Sequence, residues 1–235
     1  MPPRSDDGDG LRYLLYAHDG VGTGHLVRTC TLAKALARRL PRAEIAVASG
    51  SPALRQFAPP GCIAISLPPH LPSEPGAPDD DHRRVMGRTR RRWRRALLRA
   101  TADEFAPHVV LVDFSPAGKR DELVEPLERL AARGTAVVLG YRRIAEDPDV
   151  TKEKLATPEA ERLLASTYRL LLVYAPPWVR DRVGELATTP IPHHYTGFVC
   201  RKCRLTPGEA RARLGLPVGG RVVACGLGGG RDAWP

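Results

Sequence analysis

The stretch Leu11-Arg-Tyr-Leu-Leu-Tyr-Ala17, His18-Asp-Gly-Val-Gly-Thr-Gly-His25 and Leu26-Val-Arg-Thr-Cys-Thr-Leu-Ala33 decides the fold. Its first seven residues have the length and apolar content of a short buried strand. Gly20, Gly22 and Gly24 then make a turn. Beyond it Leu26, Leu32, Ala33, Leu36, Ala37 and Leu40 recur at helical spacing until Pro41 closes the segment. A strand, a glycine loop and a helix in direct succession predict the opening of a parallel α/β sheet. In such a sheet the loop lies beyond the strand's carboxyl end and the helix presents free N–H groups to it.

The alternation continues outward. Glu44 to Ala48 reads as a second strand, Ser51 to Phe57 as a helix and Cys62 to Leu67 as a third strand. Pro68 to Pro78 carries five prolines in eleven residues and reads as a long loop bordering a site. A helix is expected over Arg83 to Phe105, with Val85, Met86, Trp93, Ala96, Leu97 and Ala100 as its core stripe and nine arginines over the rest. His108 to Val112 is a buried strand ending at Asp113. Arg120–Arg133 (helix), Ala136–Gly140 (strand), Pro158–Ala165 (helix) and Leu170–Tyr174 (strand) complete the rhythm. The expected fold class is α/β, a doubly wound, Rossmann-like parallel sheet.

Residues 1–10 read as a flexible tail, 11–199 as the main domain and 200–220 as a connector with a short helix opened by the capping box Thr206-Pro-Gly-Glu209. Arg221 to Cys225 reads as a strand running into Gly226-Leu-Gly-Gly-Gly230. Residues 221–235 thus read as the opening of a second, truncated Rossmann-like domain.

With 43% hydrophobic residues in 235, the chain has enough apolar content to bury a sizeable core, which excludes a disordered protein. Lysine and arginine total 36 against 26 acids, a net charge of +10 that is compatible with nucleic acid, anionic lipid or phosphorylated small molecules. No apolar run reaches the roughly 18 to 20 residues that span a bilayer. The start lacks the basic-then-apolar order of a signal peptide, so the chain is expected in the cytoplasm. Five scattered cysteines do not read as a disulfide framework.

The loop lacks the spacing of a dinucleotide fingerprint, because His25 stands where the third glycine would fall, and it lacks the Gly-Lys-Ser/Thr ending of a P-loop. What remains is an aspartate, alternating glycines, His25 and Arg28. This resembles the opening motif of GT-B glycosyltransferases of the MurG-like kind, and more closely a branch of predicted bacterial glycosyltransferases with an Asp-Gly-x-Gly-x-Gly-His-x-x-Arg loop. The resemblance continues at Leu111-Val-Asp-Phe-Ser-Pro-Ala-Gly-Lys-Arg-Asp-Glu-Leu123, at Val138-Leu-Gly-Tyr-Arg-Arg-Ile144 before Asp147-Pro148, and at Tyr195-Thr-Gly-Phe198. Arg142-Arg143 departs from it where an Arg-Asp pair is expected.

The resemblance implies an inverting, metal-independent transfer of a sugar from a nucleotide-sugar donor to a hydroxyl acceptor, a lipid-linked one among the candidates. No metal and no cofactor beyond that co-substrate are expected. It implies the acceptor-side domain here, with about 150 further residues in a complete enzyme. His25 is the expected base, since an imidazole titrates near neutral pH. Asp19 is a second base candidate or orients His25. His18 is read as packing or facing solvent. Gly22, Gly24, Arg28, Asp113, Ser115, Gly118 and Lys119 are expected to contact the acceptor, and Gly228, Gly229 and Gly230 the donor diphosphate.

The arginine-rich helix suggests peripheral contact with an anionic membrane, and nucleic acid is not an expected partner. Cys200-Arg-Lys-Cys203 with His193 and His194 supplies four candidate zinc ligands but lacks two ligand pairs in a compact knuckle. Two alternatives stay open: a nucleotide-sugar hydrolase of the same architecture, in which His25 activates water, and a catalytically inactive domain that binds an acceptor or partner.

Overall fold

A computed structural model of the protein describes residues 10–18, 22–70, 81–142, 157–179, 191–203 and 205–225. Asp19 and Gly228 to Gly230 lie outside these, as do Arg143, Asp147 and most of the proline-rich loop. In chain order the elements are β1 (Arg12–Tyr16), α1 (Gly24–Arg39), β2 (Glu44–Ser49), α2 (Leu54–Phe57), β3 (Ile63–Ser66), α3 (Asp81–Phe105) and β4 (Val109–Asp113). A 3₁₀ turn (Lys119–Asp121), α4 (Val124–Ala132), β5 (Ala136–Tyr141), α5 (Pro158–Ser166), β6 (Tyr168–Val173), β7 (His193–Tyr195) and α6 (Pro207–Arg213) follow.

Seven strands among the described residues form one sheet in the order β3-β2-β1-β4-β5-β6-β7, parallel at every pairing. This is the doubly wound Rossmann-like arrangement, and its order reverses between β1 and β4. A crevice opens beyond the carboxyl ends at that reversal. The strand side chains alternate between two cores. Leu14, Tyr16, Val110, Val112, Val137, Leu139, Leu171 and Val173 pack under α3, α4 and α5. Leu15, Ala17, Ile45 and Val47 face Leu26, Cys30, Ala33 and Leu54 of α1 and α2, with Leu111 packed against them. Asp113 is two residues beyond Leu111, so the pleat turns it toward α1.

Three elements differ from expectation. In α3 the buried stripe is Arg94, Leu98 and Ala102, whereas Trp93, expected in the core, is 59% exposed and Val85 and Leu97 are also exposed. The reason is an ion pair. Arg94 is fully buried, with Nε donating to Glu122 Oε2 and Nη2 to Glu122 Oε1, both at 2.6 Å. Tyr16 donates its hydroxyl to Oε1 at 2.6 Å, and Arg94 Nη1 reaches the Pro68 carbonyl at 2.7 Å. Two bonds within the carboxylate–guanidinium pair and two between it and Tyr16 and Pro68 set the rotation of the helix, burying Leu98 and Ala102 in place of the expected stripe.

The second difference is β7: His193 to Tyr195 adds a strand beside β6, within the main domain, where the sequence predicts none. The third lies at Arg221 to Cys225, which forms no strand and stays exposed. A strand requires a neighbouring ladder, and the described residues offer none there. The capping box forms as read, with Glu209 N–H on Thr206 Oγ1 at 3.3 Å and Thr206 N–H on Glu209 Oε2 at 2.7 Å. Among the described residues no helix is long and apolar enough to cross a membrane.

Candidate active site

His25 stands in the first turn of α1 and Asp113 is the last residue of β4, so the two straddle the reversal in strand order. His25 Nδ1 lies 2.6 Å from Asp113 Oδ2. Arg28, one turn further along α1, clamps the same carboxylate from the side: Nε donates to Oδ1 at 2.9 Å and Nη2 to Oδ2 at 2.8 Å. The Asp113 side chain is only 3% exposed.

Arg28 Nη2 also approaches His25 Nδ1 at 2.9 Å. One nitrogen cannot donate to Asp113 and accept from Arg28 at once. The Asp113 contact is the shorter, and Arg28 Nη2 has the carboxylate as its acceptor, so the proton belongs on His25 Nδ1 and points at Oδ2. That tautomer leaves the lone pair on Nε2.

Burial alone would push the Asp113 carboxyl up. The hydrogen bond from His25 and the Arg28 guanidinium outweigh it and hold the carboxyl below its ordinary range. Asp113 is therefore a permanent anion near neutral pH, and a fixed one.

The backbone after β4 is bent to hold this carboxylate. Phe114 has φ of 70°, a left-handed value that costs a non-glycine residue energy, and Ser115 N–H closes onto the Asp113 carbonyl at 2.9 Å. Phe114 N–H is in turn held by the Gly140 carbonyl at 2.7 Å. The Phe114 ring packs against His25 with centroids 5.4 Å apart, and His18 lies edge-on to His25 at 5.3 Å. His18 thus packs, the first of its two readings.

A further residue, not foreseen from sequence, supports Arg28. The Arg28 guanidinium carbon lies 5.5 Å from the centre of the Tyr174 ring. Tyr174 follows β6, and its hydroxyl crosses β5 at Gly140, which is paired in register with Asp113. A Cβ on Gly140 would sit 1.9 Å from that hydroxyl. Gly140→Ala is therefore expected to displace Tyr174 and lower stability by about 1–3 kcal/mol, read as a lower denaturant midpoint with unchanged m-value.

The Tyr174 hydroxyl is buried with no hydrogen-bond partner among the described residues, and Arg142 Nε, just after β5, is in the same condition. Burial, then the Asp113 charge, push the Tyr174 phenol up, with Arg28 opposing, so it stays a neutral donor. Two unspent donors thus belong to the sheet face that carries Asp113.

Several residues expected at the acceptor are occupied by the protein itself. Asp113 and Arg28 hold each other and His25. Ser115 Oγ donates to the Gly118 carbonyl at 3.0 Å. Gly118 adopts φ 70° and ψ −172°, a conformation left to glycine, and an added Cβ would lie 2.7 Å from Leu123 Cγ. Its glycine is demanded by the turn. Lys119 N–H faces the Tyr16 hydroxyl at 3.4 Å. Gly22 is in the left-handed region at φ 96°, whereas a Cβ at Gly24 would meet nothing within 4 Å among the described residues.

The cysteine segment lies elsewhere. Cys200 to Cys203 lines, with Cys30, Lys34, Arg38 and Phe57, a cavity of about 770 Å3 against α1 and α2. Burial, with Cys62 nearby, pushes the Cys30 thiol up to about 11, so it stays protonated and a poor metal ligand. Among the described residues no group of three or more His, Cys, Asp or Glu could hold a metal ion.

No protein-family model matches the chain, and no curated protein matches it. Among solved structures it is similar to a UGT transferase from Siraitia grosvenorii in complex with UDP, at 14% identity over 70% of this chain and 45% of that one, TM-score 0.45. It is also similar to UGT2 of Phytolacca americana, complexed with UDP-2fluoro-glucose and pterostilbene, at 12% identity over 82% and 54%, TM-score 0.49. SsfS6, a glycosyltransferase of Streptomyces sp. SF2575, matches at 21% identity over 73% and 52%, TM-score 0.45. The chain spans about half the length of these structures. The Rossmann-like assignment rests on strand order and register.

Proposed function

We propose that the chain is the acceptor-side half of a glycosyltransferase of GT-B type, in which His25 Nε2 takes the proton from an acceptor hydroxyl as it attacks a nucleotide sugar. The observation that carries the reading is the 2.6 Å contact between His25 Nδ1 and a buried, ionised Asp113. It selects the tautomer with a free Nε2 and stabilises the imidazolium that proton transfer creates. The site's place at the reversal of strand order supports it.

The reading extends to direct, inverting displacement without a metal, the proton going to His25 and the nucleotide diphosphate leaving toward the glycines at 228 to 230. Tyr174 and Arg142 then offer hydrogen bonds to the acceptor, in place of Asp113 and Ser115. The loop's likeness to the MurG-like branch supports a nucleotide-sugar donor and a cytoplasmic setting.

The test is an assay, with labelled nucleotide sugars and a pool of hydroxyl acceptors, of the chain together with the donor-binding half that the reading implies. Label on an acceptor, reduced about 10²–10⁴-fold in His25→Ala, is the expected result. Full activity in that variant removes His25 from the base role. Free sugar and nucleotide with no labelled acceptor would mean that water takes the acceptor's place. No nucleotide release would leave the chain a non-catalytic acceptor-binding domain.

A further inference from the structure

The arginines of α3 are not spread evenly. Arg88, Arg91, Arg92, Arg95 and Arg99 follow the spacing that puts residues on one stripe of a helix. Together with Ala96 and Glu125 of α4 they line a cavity of about 370 Å3. Five guanidinium groups therefore face one carboxylate, and that one is paired with Arg99 at 3.6 Å. Arg95 Nη2 donates to the Arg120 carbonyl at 3.1 Å. Arg88, Arg91 and Arg92 make no ion pair among the described residues.

The Cβ atoms of neighbours on one helix face stand about 5–6 Å apart, inside a Debye length of about 8 Å at physiological salt, so salt screens the repulsion among these charges only in part. A concave surface also concentrates the field. α3 has 25 residues, about 37 Å of helix, against strands of five or six residues, about 20 Å. Its buried residues start only at Arg94. Among the described residues none in the first half of the helix is buried, and Arg88, Arg91 and Arg92 stand on that half.

We propose that this arginine-lined cavity is a binding site for phosphate groups, sized for a small polyphosphate anion. Guanidinium forks match phosphate oxygens two at a time, which lysine cannot do. Bound phosphate would relieve the repulsion along the stripe. The phosphates come either from a soluble diphosphate or from the headgroups of an anionic bilayer. The site is separate from His25 and does not rest on the glycosyltransferase reading, so a His25→Ala protein keeps it.

The experiment uses the full chain in two arms: calorimetry with inorganic pyrophosphate, and co-sedimentation with phosphatidylcholine vesicles with or without about one third phosphatidylglycerol. The variant R88Q/R91Q/R92Q removes only exposed or half-exposed charges, and circular dichroism checks its fold. The expected result is binding in at least one arm, weakened about tenfold or more in the glutamine variant. Pyrophosphate binding identifies a soluble source, and binding only to the anionic vesicles a bilayer source. R88K/R91K/R92K keeps the charge without the forks and is expected to weaken binding several-fold. Binding in neither arm, equal binding by the glutamine variant, or equal binding by the lysine variant would overturn a built phosphate site.

Discussion

Glu122→Ala is expected to destabilise the protein by about 3–5 kcal/mol, the range for removing one partner of a buried ion pair. The cost comes from what stays behind. Arg94 is fully buried, and without Glu122 its Nε and one Nη2 hydrogen lose their acceptor while the charge remains. The Tyr16 hydroxyl loses its acceptor as well. Replacing the set together, as Tyr16→Phe, Arg94→Met and Glu122→Leu, removes the stranded charge and phenol, leaves the Pro68 carbonyl and the Lys119 N–H to find new partners, and is expected to recover part of the loss. Denaturant unfolding of the single and combined variants checks this. A Glu122→Ala loss below about 1 kcal/mol would show that water or a neighbour replaces the carboxylate. Arg94 also holds the Pro68 carbonyl, so the pair fastens the start of the β3–α3 loop to the turn after β4.

Asp113→Asn is expected to be the most damaging isosteric change at the site. An asparagine amide placed with its NH2 toward His25 donates to Nδ1, which moves the ring proton to Nε2 and abolishes the base. Transfer activity should fall about 10²-fold or more, and nitrogen NMR of His25 should report the exchanged tautomer. An unchanged tautomer would show that Arg28, not Asp113, sets the proton's position. The same variant tests acid stability. The Asp113 carboxyl is held below its ordinary range in the fold, so its contribution is complete above the unfolded value of about 3.9 and is lost as pH falls below it. Wild type should therefore lose stability more steeply than the asparagine variant below about pH 4, and parallel profiles would remove Asp113 from the acid transition.

The fold was largely readable because its signals are local. A seven-residue apolar run, a glycine turn and a helical period lie within thirty residues, and each later strand repeats the pattern. Failures fell where a distant partner decides. Burial rules place arginine in solvent, so Arg94 was passed over for Trp93, and only the fold brings Glu122, twenty-eight positions on, to meet it. β7 has three residues, too few for a period. At the site, His25, Arg28 and Asp113 were each singled out, but their mutual bonds depend on the register of β1 with β4. Tyr174 and Gly140 gave no signal alone. Their roles exist only as a pair across adjacent strands.

That pair carries an evolutionary consequence. Because the Tyr174 ring occupies the space of a missing side chain at position 140, neither residue is free to drift alone. A Cβ at 140 would lie within 2.8 Å of three atoms of the phenol, two of them ring carbons, so phenylalanine at 174 gives no relief. Lineages that acquire a side chain at 140 are expected to have first, or simultaneously, shortened residue 174. Substitution at the two sites should therefore be correlated in descent, with glycine–tyrosine as one allowed state and a larger residue facing a smaller one as the other.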